Sequence, residues 1–353
     1  MSSSSKISIN KDITQAELIT PEFYTRAKYF KKVKNKIFAR SLQFIIHKDN
    51  LENNINPFIF LEGFLNEPYL LIQNKSLKIL SNICTHRANL LCHKGSNNQK
   101  IQCNYHGRTF DLDGNLKNAP GFEGVKNFPT ENDNLKNIPY KSWNNFIFTS
   151  IKSPINIDGV FKDIDSRLAY YPFQKLCYDS NQSNTYTINA HWALYCENYL
   201  EGFHVPFIHK GLNEDINYNN YKTEILDHGV LQYAINKTAS NPKQILKDNM
   251  YAYYYWIFPN MMFNFYNWGL SINIIEPINK KKTRIRFLSF PIKGLSPPNN
   301  NFSDLDTIER EDQKVVLSVQ KGISSFNYNR GRYSAKHEKG LHYFHQLISR
   351  YLD

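Results

Sequence analysis

Residues 84–107 read CTHRANLLCHKGSNNQKIQCNYHG and carry three of the chain's five cysteines and three of its eleven histidines. Two pairs organise the stretch, Cys84-x-His86 and Cys103-x-x-His106, with sixteen residues between them. Each pair falls at a turn between short β-rich runs, followed by basic or glycine-bearing residues. Two loops of this kind can clasp a metal centre from both sides. Two thiolates with two imidazoles suit a tetrahedral zinc ion, or a [2Fe–2S] cluster with both cysteines on one iron and both histidines on the other. Zinc fingers usually place both cysteines in one knuckle and both histidines in another, on a helix. Here each knuckle offers one Cys and one His, as a cluster requires when each loop must reach both irons. Cys92 and His93 lie outside the pattern and read as a small core thiol and a surface histidine.

The rest of the composition frames this centre. At 353 residues, with 41% hydrophobic residues, 24 Phe and 23 Tyr, the chain can bury two cores. Its formal charge is +12, but charged residues are only 21% of the total and are spread along the chain. No Lys/Arg block marks a nucleic-acid partner, while a modest basic face for an acidic protein partner is compatible with the charge. The start, MSSSSKISINKDITQ, has no apolar core of the secretory kind. No run reaches the ~18 apolar residues of a membrane span. Five cysteines are an odd and sparse set, which argues against a disulfide framework and for a reducing cytoplasm.

Apolar spacing predicts helix within residues 17–40. From 41 to 155, short β-rich runs (FIIH, FIFLEGF, YLLIQ, LKILSNI, FIFTSI) alternate with turn residues and predict a small all-β domain. From 156 to 353, helices are expected around Trp192–Phe203 and Asp312–Ile323. Strands are expected over Tyr251–Phe258, Leu270–Ile275 and Thr283–Phe290. The fold class is α+β, an antiparallel sheet with helices against it. PIKGLSPPNNNFSDLD reads as a surface excursion before the last helices.

A second constellation lies in ENYLEGFHVPFIHKG. Glu201 and His204, three apart, share a helical face. On a continuous helix His204 and His209 would point about 140° apart, but a helix ending before Pro206 would let the chain bring them together. Two such histidines with one carboxylate make a facial triad for non-haem Fe(II). EREDQKVVLSVQKG supplies Asp312, which also suits ordinary capping at a helix head. The aromatic run YAYYYWIFPNMMFNFYNW could line a pocket for a quaternary ammonium group, or be plain strand core.

Taken together, the chain resembles the large (α) subunit of the Rieske non-haem iron oxygenases over nearly its whole length. The family's catalytic motif, roughly N-x-x-(D/E)-x-x-H-x₄-H, is matched by Asn198, Glu201, His204 and His209. The family's late carboxylate often precedes a Gln by eight residues, as Asp312 precedes Gln320. LSNICTHR, CNYHG, DLDGNL and FPNMMFNFYNWGLSINIIEP are collinear matches. His191-Trp192-Ala193 stands where Asn-Trp-Lys is common, and Arg108 where an aromatic often follows YHG.

The resemblance implies a Rieske [2Fe–2S] domain (41–155) followed by a helix-grip, START-like catalytic domain (156–353), with residues 1–40 packing on the latter. It implies a cluster held by Cys84, His86, Cys103 and His106, and mononuclear Fe(II) held by His204, His209 and Asp312. It further implies electrons from NAD(P)H through a reductase, with or without a ferredoxin. A head-to-tail homotrimer would then let Glu201 bridge one subunit's cluster to the next subunit's iron. The expected reaction is O2-dependent monooxygenation, by hydroxylation or oxidative N-dealkylation, of a small organic substrate. The bridge Glu and PNMMFNFY look most like the choline monooxygenase, glycine betaine and carnitine oxygenase branch. Two alternatives remain at this stage: aromatic-ring dihydroxylation by a dioxygenase, and a pure electron carrier without mononuclear iron.

Overall fold

The computed structural model describes residues 7–209, 221–236, 244–295 and 301–353. The chain forms two compact units, one spanning Ala39–Pro154 and the other joining the chain up to Phe38 with Ile155–Asp353.

The smaller unit is all β. Its strands are β1 (Gln43–His47), β2 (Ile55–Phe60), β3 (Glu67–Gln73), β4 (Leu77–Ser81), β5 (Ile101–Gln102), β6 (Thr109–Phe110), β7 (Leu116–Asn118), β8 (Asn137–Ile138), β9 (Tyr140–Trp143) and β10 (Phe146–Thr149). They pair into antiparallel sheets ordered β1-β10-β9, β2-β3-β4-β8 and β5-β6-β7. Residues Tyr69–Ile72 of β3 are all buried, so this central strand reads as a continuous apolar run instead of an alternating one. Leu70, Ile72, Leu80, Ile101 and Phe110 form a core that includes the thiols of Cys84 and Cys103. The first Cys/His pair follows β4, and the second sits in the β5–β6 hairpin.

In the larger unit, helices are α1 (Glu22–Thr25), α2 (Ala27–Lys36), α3 (Asp158–Arg167), α4 (Trp192–Tyr199), α5 (Val205–Ile208), α6 (Asn301–Gly322) and α7 (Lys339–Leu352). Strands are β11 (Asp179–Ile188), β12 (Lys222–Leu226), β13 (Gly229–Ile235), β14 (Met250–Ile257), β15 (Met261–Phe265), β16 (Gly269–Asn279) and β17 (Lys282–Pro291). Among the described residues they make one antiparallel sheet ordered β11-β17-β16-β15-β14-β13-β12. Side-chain alternation on β14 assigns its two faces. Tyr255 donates to Asp163 of α3 at 2.6 Å, while Trp256 packs edge-on to Phe344 of α7, centroids 5.1 Å apart. The N-terminal helices join this unit: Phe38 meets Trp192 at 5.0 Å, and Lys32 and Lys36 reach the carbonyl of Leu352 at 3.4 and 3.2 Å. Those ammonium groups sit at the negative end of α7.

Three expectations are corrected. Helix does not run to Phe203: α4 ends at Tyr199, where the Leu200 N–H is shared between the carbonyls of Cys196 and Glu197. The last-but-one helix starts at Asn301 and not at Asp312. Asp312 is therefore mid-helix, and the capping reading falls. The PIKGLSPPNNNFSDLD excursion is correspondingly shorter, since the chain is already helical from Asn301; residues 296–300 lie outside the described residues.

Gly340, in the first turn of α7, permits a close approach. A Cβ there would lie 2.6 Å from the Leu200 carbonyl oxygen and 3.1 Å from Val230 Cγ1. Gly340→Ala is expected to destabilise the protein by about 1–3 kcal/mol. A thermal melt reads this as a drop of several degrees, and an unchanged melting temperature would show that the helix can move away.

Candidate metal centres and substrate cavity

The two loops of the smaller unit share one backbone scheme. Cys84 N–H donates to Asn89 C=O and Ala88 N–H returns to Cys84 C=O; Cys103 N–H donates to Arg108 C=O and Gly107 N–H returns to Cys103 C=O, all at 2.8–3.0 Å. The closing residues, Ala88 and Gly107, take positive φ values of 55° and 74°, a region where glycine is unstrained and alanine is not. Equal loops with unequal Cys–His spacing thus bring the four side chains together. The His86 and His106 rings lie 4.7 Å apart, the sulfurs of Cys84 and Cys103 interact, and both cysteines are buried.

The donor chemistry fits a cluster. His86 Nδ1 is buried with no hydrogen-bond partner, as expected of a nitrogen whose lone pair is kept for a metal. Burial, and then the charge of Arg108, hold the His86 imidazole below its ordinary value, in the neutral ligand form. Burial pushes the Cys84 thiol up, offset only in part by the backbone N–H groups of His86 and Arg87. At Cys103 burial is outweighed by the backbone N–H groups of Tyr105 and His106 and by the Cys84 thiol, which hold it below its ordinary value. Asn89 Nδ2 adds a contact of 3.6 Å to Cys103 Sγ. Donors of this kind stabilise bound thiolates and raise a cluster's potential.

Arg108 packs in place of an aromatic. Its guanidinium lies over Phe122 and Phe128 at 4.4 and 5.1 Å and pairs with Asp133 at 3.4 Å. Of the other two residues in the stretch, Cys92 is held through its backbone by the Asn82 amide, and His93 is exposed.

The second centre forms where α4 breaks. Glu201 and His204 do not share a helical face; they meet because Glu201 folds over the break. Its Oε2 accepts the His204 backbone N–H at 3.0 Å, and its Oε1 lies 2.7 Å from His204 Nδ1. Pro206 lies in the first turn of α5, where its missing N–H costs nothing, so it starts a helix and does not stop one. The short α5 carries the chain from His204 to His209, which caps its other end. From α6, Asp312 Oδ1 lies 3.0 Å from His209 Nε2 and 3.5 Å from His204 Nε2. Ligand atoms of His204, His209 and Asp312 all fall within 4.8 Å of one another, which is a two-histidine, one-carboxylate set. Burial pulls His209 down, yet Asp312 and Glu311 together raise it, so the cage favours positive charge.

Sequence reasoning passed over Glu311, whose Oε2 lies 2.8 Å from His209 Nδ1. Each histidine therefore has a carboxylate on Nδ1 and turns Nε2 to Asp312. The missed signal was chemical: a ligand imidazole wants an acceptor on its far nitrogen, and Glu311 adjoins Asp312. Gln320 accepts the His191 N–H at 2.7 Å and ties α6 to the start of α4.

His191 itself caps α4, its Nδ1 accepting from Ala193 N–H at 3.3 Å. Burial pulls its pKa down to about 3. The folded value lies below the unfolded one of about 6.5, so the unfolded chain binds this proton preferentially. Stability should be whole above pH ~6.5 and fall by about 1.4 kcal/mol per unit as pH drops towards 3. His191→Asn, which keeps a capping acceptor, should flatten that slope. Melting temperatures at about pH 7.5 and about pH 5.5 test this, and equal slopes in the two proteins would refute it.

The second centre opens on a cavity of about 200 Å³ bordered by His204, His209, Asp312 and Asn198. Its wall includes Tyr199, Tyr254, Tyr266 and Trp268. Tyr266 and Trp268 stack with centroids 5.3 Å apart, and Tyr254 meets Tyr266 edge-on at 6.0 Å. The aromatic run is thus divided: Tyr254 borders the cavity, and Tyr255 is core on the α3 side.

A paired-loop Cys₂His₂ centre on a β unit, with a facial triad facing a cavity on an α+β unit, defines an oxygenase of the Rieske non-haem iron class. The chain belongs to the ring hydroxylating alpha subunit family, whose catalytic-domain model matches residues 177–353, and the Rieske [2Fe–2S] domain model matches residues 43–129. It is the oxygenase component of such a system, uses a Rieske [2Fe–2S] cluster and mononuclear iron, and receives electrons from a reductase.

Among its relatives is the chloroplastic choline monooxygenase of Arabidopsis thaliana, 26% identical over 92% of this chain and 81% of that protein. Another is the carnitine monooxygenase oxygenase subunit of Escherichia coli K12, 27% identical over 95% of this chain and 94% of that protein. The crystal structure of the quaternary ammonium Rieske monooxygenase CntA with L-carnitine shares the fold. Its TM-score is 0.77 at 22% identity, over 96% of both chains. No helix among the described residues is long and apolar enough to cross a membrane.

Proposed function

We propose that this protein monooxygenates a small quaternary amine, with the cluster on Cys84, His86, Cys103 and His106 and the iron on His204, His209 and Asp312. The observation that carries the reading is the convergence of the two Nε2 atoms and Asp312 at the edge of a tyrosine- and tryptophan-lined cavity. Aromatic faces attract quaternary ammonium groups, and the choline and carnitine monooxygenases are relatives.

When bound, the two metal groups supply single-electron relay and O2 activation. The chain's own part is to set protonation and position. Glu201 Oε1 and Glu311 Oε2 hold a proton on Nδ1 of His204 and His209, leaving each Nε2 lone pair free for the metal. Tyr254, Tyr266 and Trp268 exclude water and orient the substrate.

We also propose that Glu201 bridges to the cluster of a neighbouring subunit in a homotrimer. It lies beside Phe203 and Phe207, 40% and 71% exposed, and Tyr105 next to His106 is 53% exposed; exposed apolar groups beside each centre suit a docking partner. The free cysteines suit a cytoplasmic site.

The test is turnover with a generic reductase, comparing choline and betaines with simple arenes and scoring substrate-dependent NADH use with product detection. Oxidised quaternary amine is the expected product. A cis-diol from an arene would replace the reading with a dioxygenase one, and absence of the mononuclear iron would replace it with an electron carrier.

A further inference from the structure

Glu309 is a carboxyl that neither metal centre uses. It lies three residues before Asp312 on α6, borders the substrate cavity and is only 8% exposed. Its Oε1 accepts the Tyr195 hydroxyl and, at 3.3 Å, the Gln313 amide. Its Oε2 has no hydrogen-bond partner among the described residues. The other two carboxylates bordering the cavity are engaged: Asp312 Oδ1 sits against both imidazoles, and both oxygens of Glu201 are taken by His204.

A charge at this depth is costly without compensation. Burial, followed by the nearby charge of Asp312, pushes the Glu309 carboxyl well above its ordinary range. A cation entering the cavity would supply the compensation. The neighbouring wall of Tyr199, Tyr254, Tyr266 and Trp268 would hold such a cation through its ring faces, a modest preference for charge over a neutral head of the same shape. A carboxylate discriminates strongly, because it responds to the charge itself.

We propose that Glu309, held by Tyr195, is the specificity residue that reads the positive charge of the substrate's ammonium group. The inference rests on the quaternary-amine reading above. It assigns the larger part of the charge preference to one side chain on α6, beside an aromatic wall that selects shape and adds a smaller cation–π share.

The test is binding without turnover, by calorimetry on the oxidised protein with no reductase present. The probes are choline and 3,3-dimethylbutan-1-ol, in which a quaternary carbon replaces the nitrogen. The parent protein is expected to bind choline at least about tenfold more tightly than the carbon isostere. Glu309→Gln should cut that ratio by at least about fivefold while leaving the isostere's own affinity in place. A merely structural role would weaken both ligands together. Retention of the full preference in Glu309→Gln overturns the inference and leaves the quaternary-amine reading standing. A parent protein with no preference for choline overturns both. Should Glu309→Gln not fold, as its melt would reveal, Tyr195→Phe removes the hydroxyl from Glu309 Oε1. That variant must reduce the preference, and an undiminished ratio there also overturns the inference.

Discussion

The His204→Ala protein is expected to keep the reddish Rieske spectrum, to fall from about three irons per chain to about two, and to lose O2-dependent product by at least about a thousandfold. The spectrum should survive because the Cys84 and Cys103 loops belong to a compact unit whose core, Leu70, Ile72, Leu80 and Phe110, does not include α4 or α5. The iron should go because only His209 Nε2 and Asp312 would remain of the converging set. Two ligands hold a divalent ion poorly where three make a facial triad. Loss of His204 also leaves Glu201 Oε1 without its imidazole partner, while Oε2 keeps the backbone N–H of residue 204. Metal analysis, visible spectra and product assay on the same preparation read the three outcomes separately. Full activity would remove His204 from the iron, and loss of the cluster spectrum would show that the two units are not independent.

The two centres were legible in the sequence to different depths. The Cys84–His106 stretch was readable because interleaved Cys and His at short spacing constrain geometry without tertiary help; a closing turn of the same hydrogen-bond pattern completes each loop. The second centre was readable as a set of residues but not as a shape. Glu201 and His204 at three-residue spacing suggested a shared helical face, whereas the contact comes from a break after Tyr199 and a side chain folding over it. Pro206 was a sound sign of irregular backbone, yet it opens α5 where a stop was expected. A proline reports a local constraint, and whether that constraint ends one helix or begins the next depends on what surrounds it.

Acidic residues were the least legible. Glu309, Glu311 and Asp312 lie in one charged run, and such a run on an amphipathic helix normally faces water. Only the packing of α6 against α4 distinguishes the carboxyl facing the cavity, the one on His209 Nδ1 and the one that meets both Nε2 atoms. The strand aromatics show the same limit. Alternation separates Tyr254 from Tyr255, but which parity faces the cavity is decided by α3 on one side of the sheet and α7 on the other.

Glu201→Gln tests the proposed passage of electrons between subunits, and its expected effect is on one rate. Glutamine preserves volume and its carbonyl can still accept from His204 Nδ1, 2.7 Å from Glu201 Oε1. Its amide nitrogen cannot accept the His204 backbone N–H that Glu201 Oε2 now receives at 3.0 Å. The negative charge that makes His204 a strong ligand is also lost. Both metals should therefore remain, since His204, His209 and Asp312 are intact and the loops of the smaller unit are untouched. Single-turnover reoxidation of the reduced cluster with substrate and O2 present should slow by about 10- to 100-fold, the usual cost of losing a carboxylate behind a ligand imidazole. Product formed per electron delivered should hold steady, because the cavity wall of Tyr254, Tyr266 and Trp268 is not altered. That separation gives the experiment its force. A residue that only shaped the pocket would change binding and coupling, whereas a bridge changes the arrival of electrons. Unchanged reoxidation would leave Glu201 as a support for His204 and send the search for the junction to the exposed aromatics beside it, Phe203 and Phe207.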